Sequence, residues 1–458
     1  MGKRVGRFFI ALLQRVVFSF EQFGRHEMAN HAAGGAYAFL LSAMPALLII
    51  VYISSRIYGA MDMDASSVAV FLEPYLGDFG AGEVTRVFLD KPVTGLAGLF
   101  GAVNLIWAAR LFVVSIQRGL RVIYRDTAAT SALRENLLTF AVELVLMFAV
   151  VVLISGVQIL RALVDLLQWQ AAREFFGGLS LAVLKLLPYL ALWLFVYLTY
   201  RSIPKYKPKN RYALLAATAC VLAYALFGAF LGLFLNTARY GLLYGIFGNL
   251  ISGLLKVFAF FWLYFFCAEL MYASEFFDVM LFSRFSRLAT THGKTNRIES
   301  FLFANPARLF RRFACSYEKG DIIFRRGDKD NRVLYLHQGR VAIYLDDPEA
   351  VPDAAPASGL AGAPAGGSAG QHPPRQPVAE MAAGAFFGEM AALLEEERSG
   401  WAVATEDSLV FVLPAGMFER YLASAPTESR KLIHLLAERL KANNERLRQD
   451  GRYSGGGV

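Results

Sequence analysis

Residues 384–405 read GAFFGEMAALLEEERSGWAVAT, and their residue types and spacing describe an anion held against a backbone. Gly388 has no Cβ, so the chain there can pass close to a sugar-phosphate. Glu389 beside it can accept from a ribose hydroxyl, and Met390–Leu394 reads as one helical turn whose amides point at the anion. Arg398 then supplies a planar fork of N–H donors that suits a phosphate diester. From Trp401 to Val412 apolar residues alternate, which returns the chain to a strand. Glu395, Glu396 and Glu397 crowd the arginine with negative charge, so modest affinity for an anion is expected.

GEMA followed by RS resembles the signature of cyclic nucleotide-binding domains. The resemblance implies that Glu389 holds the ribose and Arg398 the cyclic phosphate. Phe387, Gly388, Glu389, Met390, Arg398 and Ser399 are then the ligand-binding residues, and cyclic AMP or cyclic GMP is the regulatory ligand. Upstream, KGDIIFRRGDKDNRVLYLHQGRVAIYLDD (319–347) resembles the first strands of the same β-roll, with Gly320, Gly327 and Gly339 at its turns. Together these cover 301–450. Residues 346–376 are rich in Ala, Pro, Gly and Ser and read as a disordered spacer inserted between two strands. Such an insertion is tolerated because loop-closure entropy grows slowly with length. A last helix over 427–449 places Ile433, Leu436, Leu440, Asn443 and Leu447 on one seam. It is expected to be a lid over the bound base rather than a short coiled coil. No room follows for a helix-turn-helix, so a transcription factor of the catabolite-activator type is not expected, nor a nucleic-acid partner.

The rest of the chain has another character. Of 458 residues 56% are hydrophobic and 14% aromatic, too apolar for a purely soluble protein, so membrane spans are required. Three cysteines without metal-like spacing imply no disulfide framework. Residues 5–23 have a basic start and an apolar body, but Gln14 and Arg15 interrupt that body and no cleavage site follows. They read as an interfacial helix, with aromatic residues in the lipid boundary and Lys3, Arg4, Arg7 and Arg15 facing anionic headgroups.

Six apolar segments follow, about 34–58, 93–117, 136–160, 179–200, 212–235 and 247–272, each near the roughly 20 residues needed to cross a bilayer. Basic residues crowd the N-terminus and alternate loops (Arg118, Arg121, Arg125; Arg201, Lys205, Lys207; Arg284, Arg287), whereas the first loop carries Asp62, Asp64, Glu73 and Asp78. By the positive-inside rule both termini are cytoplasmic. Gly228 and Gly232 are expected to admit a neighbouring helix, and Pro45 and Pro188 to kink theirs.

HEMANHAAGGAYAFLLSAMPALLII (26–50) and YGIFGNLISGLLKVFAFFWLYFFCAELMYASE (244–275) resemble the YihY/BrkB family of bacterial inner-membrane proteins over residues 1–280. In that family a Ser-x-x-Pro pattern, here Ser42 and Pro45, marks the first helix, and a glutamate, here Glu269, ends the last. The resemblance implies a membrane body without an agreed activity. No His-x-His-x-Asp-His cluster is present, so nuclease chemistry is not expected.

Ionisable groups inside lipid are costly and therefore paired or functional. Arg110 and Glu143 lie at matched depth on the second and third spans and are expected to pair, with Glu269 able to join them. Lys185 and Lys256 lie at another depth with Asn249. These residues mark either a membrane pathway or a structural ion pair.

The expected fold is thus a mainly α polytopic membrane domain of six transmembrane helices plus a C-terminal cytoplasmic β-roll with flanking helices. Its boundaries are an interfacial helix 1–30, membrane domain 31–280, basic linker 281–300, nucleotide-binding-like domain 301–450 and tail 451–458. The histidines form no spaced cluster and no nucleophile motif occurs, so enzymatic activity, metals and cofactors are not expected. Neither a channel filter nor a voltage-sensor helix is present. The expected function is a translocation body for lipid or solute in a bacterial inner membrane, regulated by the nucleotide and able to assemble as a homo-oligomer. The alternative is a membrane-tethered sensor or scaffold that transports nothing.

Overall fold

The computed structural model describes residues 2–42, 96–125, 188–234, 237–290, 297–304, 306–345 and 377–424, with a few single positions besides. The chain divides into two compact units, Met1–Glu275 and Phe276–Val458.

In the first unit every described element is helical. These are α1 (Gly2–Arg25), α2 (28–42), α3 (Leu96–Tyr124), α4 (188–202), α5 (Asn210–Phe234) and α6 (Thr237–Glu275). α5 and α6 carry the stretches 210–233 and 251–275, two helices long and apolar enough to cross a membrane. The expected spans at 93–117 and 179–200 fall partly on α3 and α4. Those at 136–160 and most of 34–58, with Pro45, lie outside the described residues.

α6 is the axis of this unit because its aromatic residues occur on every side. Phe261, Tyr264, Phe265 and Ala268 are buried together with Phe23 of α1, Ala32 and Ala36 of α2, Leu120 of α3, Val196 of α4 and Cys220 of α5. Two glycines make the packing possible. A Cβ on Gly35 would stand 2.8 Å from the Phe261 ring, and one on Gly119 would overlap the Phe265 ring. At Gly228 and Gly232, where a close helix approach is expected from the sequence, a Cβ would meet no described atom within 4 Å. The physical reason is the face they occupy: Leu226, Phe230 and Leu233 around them are all exposed.

α1 also departs from a helix that merely lies in the lipid boundary. Phe18 and Phe23 are buried, and the Phe23 ring stands 4.8 Å from Trp262 while Phe20 stands 4.6 Å from Phe266. Its N-terminal half, with Phe8 and Phe9, is mostly exposed, as is Phe20 farther along. At the other end of α6, Glu275 accepts from the backbone N–H of Lys209 (3.2 Å) and pairs with the Lys209 ammonium (3.3 Å), closing the orphan amide at the start of α5.

The second unit opens with α7 (Phe277–Thr290), α8 (Arg297–Phe303) and α9 (Ala307–Phe313). Residues 281–290, expected to be linker, are therefore helical, and Phe282 and Phe285 make them part of the core. Phe282 packs at 5.4 Å on Tyr335 and 5.3 Å on Tyr421. Asp278 accepts from Arg308 and, at 2.6 Å, from Arg312, tying α7 to α9. The basic Arg284 pairs with Glu299 at 2.9 Å.

Eight strands follow: β1 (Ala314–Tyr317), β2 (Ile322–Phe324), β3 (Val333–Gln338), β4 (Arg340–Tyr344), β5 (Ala379–Ala382), β6 (Phe386–Phe387), β7 (Trp401–Ala404) and β8 (Ser408–Leu413). They form two antiparallel four-stranded sheets, in the orders β1-β8-β3-β6 and β2-β7-β4-β5. Leu334, Leu336, Val341, Phe387, Ala402 and Val410 meet between them. Short helices α10 (Glu389–Leu394) and α11 (Ala415–Ser424) complete the described part. The spacer 346–376 and most of the 427–449 helix lie outside it.

Candidate functional site

The cassette is where the chain changes sheets. β6 pairs Phe387 with Leu334 and Phe386 with Tyr335 at the edge of one sheet. Beyond α10, β7 pairs with β2 and β4 inside the other. Everything between Gly388 and Gly400 must therefore bend back over the β2–β3 loop.

Gly388 makes the first bend. Its φ of +70° lies in the left-handed region, and a Cβ there would overlap Nη1 of Arg398 and stand 3.1 Å from Leu334. Arg398 fills that space. Its side chain is buried, with Nη1 donating to the Gly388 carbonyl at 2.6 Å and Nη2 to the Arg332 carbonyl at 2.6 Å. The guanidinium lies 4.5 Å above the Phe324 ring centroid. The backbone is fixed as firmly: Arg398 N donates to Asp328 O (3.1 Å) and Gly327 N to Arg398 O (2.9 Å). Nε of Arg398 is buried and has no hydrogen-bond partner among the described residues.

Electrostatics at the site come from the loop rather than from the glutamate run. Burial lowers the Arg398 pKa, opposed by the Asp330 carboxylate, whose Oδ2 lies 3.6 Å from Nη2. Asp330 is gripped by Arg332 through Nε at 2.9 Å and Nη2 at 2.9 Å. Against the desolvation of partial burial, those hydrogen bonds hold the Asp330 carboxyl below the ordinary carboxylate range. Glu395, Glu396 and Glu397 are exposed, and Glu397 pairs with Lys329 at 3.5 Å. The acidic groups acting most strongly on the arginine are thus Asp330 and Asp328.

The remaining cassette residues separate by burial. Phe387 and Glu389 are buried, whereas Met390 and Ser399 are exposed. Glu389 is the first residue of α10, next to the glycine that Arg398 contacts.

Comparison with known proteins agrees with this division. A family model described as virulence factor BrkB matches residues 19–276, more than half of the chain. The chain belongs to the BrkB family. A second model, cyclic nucleotide-binding domain, matches residues 369–425, and the antiparallel sheets of the second unit are those of that fold. No curated protein matches the chain.

Among solved structures, the catabolite activator protein of Thermus thermophilus is 22% identical, over 35% of this chain and 62% of its own, with a TM-score of 0.25. A cyclic nucleotide-binding domain from Methylobacillus flagellatus is 18% identical, over 41% and 88%, at TM-score 0.23. The EAL enzyme Bd1971 in its cAMP-bound form is 21% identical, over 31% and 32%, at TM-score 0.19.

In the BrkB body the charged residues singled out from sequence are scattered. Arg110 is exposed on α3 and Lys256 half-buried on α6, while Glu143 and Lys185 lie outside the described residues. Glu269 is fully buried, and its partner is His26: Nδ1 to Oε1 is 2.6 Å. That pairing, like the grip of Asp330 and Arg332 on the nucleotide cassette, is absent from the sequence reading. The only sequence signal was His26 standing at the head of the HEMANHAAGG stretch, which pointed to the family and not to a contact 243 residues away.

Proposed function

We propose that this is a polytopic inner-membrane protein whose BrkB body spans the bilayer six times, with both termini cytoplasmic. In this reading it moves a lipid or other amphiphilic solute under the control of cyclic AMP or cyclic GMP bound to the second unit. The loop charge asymmetry and the two long apolar helices support the membrane placement. The single observation that carries the ligand is the Arg398 guanidinium, buried yet with Nε unpartnered. A buried donor without an acceptor is rare in native structures, and an oxygen of a cyclic phosphate would supply one.

The same geometry supports regulation. Arg398 holds the 325–332 loop to the cassette through the Arg332 carbonyl and Asp328, so a phosphate on the guanidinium and the position of that loop are linked equilibria. A tethered sensor without transport is the alternative. The fully buried carboxylate of Glu269 in a long apolar helix favours a pathway, since an anchor gains nothing from it.

Equilibrium dialysis of the full chain in lipid nanodiscs against labelled cyclic AMP and cyclic GMP tests the ligand. Arg398→Ala should abolish binding. Arg398→Lys keeps the charge but loses the fork, and should weaken binding by about 10- to 100-fold, the worth of a charge-assisted hydrogen bond. Absence of binding at millimolar nucleotide would refute the regulatory reading, and binding that survives Arg398→Ala would place the pocket elsewhere.

A further inference from the structure

The environment of Glu269 contains more than one ion pair. Oε1 is engaged by His26, but Oε2 is buried without a hydrogen-bond partner among the described residues. His26 directly follows α1 and its N–H donates to the Gln22 carbonyl one turn earlier at 2.8 Å, so the two side chains share a side; Oε1 of Gln22 is likewise buried without a partner among the described residues. On α3 the Tyr124 hydroxyl, close enough to Glu269 to act on it, is also buried and unpartnered. Two acceptors here therefore lack a donor, in the interior of the BrkB body, where an unmade hydrogen bond is costly.

The charge count narrows what is missing. With neutral His26 and ionised Glu269 the pair holds a net negative charge away from water. One added proton makes it neutral, as imidazolium with carboxylate or as imidazole with carboxylic acid, and the second form turns Oε2 into a donor. A low-dielectric site favours the neutral pair.

Other charged and titratable groups surround the pair. Arg25 at the end of α1 and Arg125 just beyond α3 lie near Glu269. Tyr272 and Glu275 of α6 and Tyr206 of the α4–α5 loop lie around the Tyr124 hydroxyl. Glu27 in the α1–α2 turn, Arg118 of α3 and His26 all lie near His31 of α2.

We propose that His26 and Glu269 form a proton-binding site of the BrkB body, taking one proton from water onto the imidazole ring or onto Oε2 while the Nδ1···Oε1 hydrogen bond is kept. Uptake moves a proton alone; no bond between heavy atoms forms or breaks and no electron is transferred. If the body translocates a solute, this is where a proton would be taken up and released in the cycle, and that coupling rests on the translocation reading. The site itself does not, because proton binding is measured without solute or nucleotide.

The test uses the full chain in lipid nanodiscs, with imidazole-¹⁵N histidine for magnetic resonance and infrared pH-difference spectra for the carboxyl band. His26→Gln assigns one of the six histidines. The pair should keep its proton, on the ring or the carboxyl, to at least one pH unit above the roughly 6.5 of a free imidazole. Glu269→Gln should lower the ring midpoint by one unit or more and erase the carboxyl band. Should that variant fail to fold, the wild-type midpoint decides by itself. A midpoint at or below that of free imidazole, with no protonated carboxyl at neutral pH, would overturn the proposal. A midpoint that moves with sodium or potassium concentration would also overturn it, showing that a metal cation takes the proton's place.

Discussion

Gly388→Ala separates a backbone cause from a ligand cause at the nucleotide site. The backbone at 388 has φ +70°, and an L-residue held there costs about 1–2 kcal/mol. The added methyl would overlap the Arg398 guanidinium and press on Leu334, and such overpacking typically costs a further 1–3 kcal/mol. The sum is about 2–5 kcal/mol, taken from the second unit because both contacts lie in it. For a domain of this size about 2–4 °C is lost per kcal/mol, so its melting transition should fall by about 4–20 °C in the absence of nucleotide.

Gly416→Ala is the control. That glycine lies in α11 with ordinary backbone geometry and nothing within 4 Å of a Cβ, so the change should leave the transition unaltered or raise it slightly. Differential scanning calorimetry of the full chain in detergent, without ligand, reads both. If Gly388→Ala melts within a degree of the wild type, the close approach of Arg398 to the glycine is not a feature of the unliganded protein. The anchoring role given to the arginine would fail with it.

The pH dependence of the second unit follows from Asp330. Its folded pKa lies below the ordinary value of 3.8, so its contribution is present above that value and is lost as pH falls through the folded pKa. Acid unfolding curves should show this loss, and Asp330→Asn should flatten it while loosening the 325–332 loop, read by amide exchange at Arg398. In the BrkB body Gly119→Ala should destabilise by about 1–3 kcal/mol, because the Phe265 ring has no room to give way; a thermal-shift assay of the purified protein checks it. Replacing Glu275 by Ala removes the acceptor of the solvent-exposed Lys209 amide and should cost about 0.5–1.5 kcal/mol by the same measurement.

The sequence determined what depends on neighbours along the chain. The Gly388–Glu389 and Arg398–Ser399 pairs mark a cyclic nucleotide-binding domain by resemblance, and the missing Cβ of the glycine and the planar fork of the arginine are properties of single residues. The glycines at 320, 327 and 339 likewise all have positive φ, and the apolar runs of α5 and α6 are legible as long helices from composition. What it left open are contacts between residues far apart in the chain. Arg398 is held by Arg332 across 66 residues and Glu269 by His26 across 243, and neither pairing has a periodicity that would announce it. Gly228 and Gly232 looked like the close-packed glycines because they are spaced four apart, yet Gly35 and Gly119 lie under the phenylalanine rings. Spacing fixes which residues share a face; only the packed tertiary structure decides which face is turned inward, because burial depends on what the other helices bring to it.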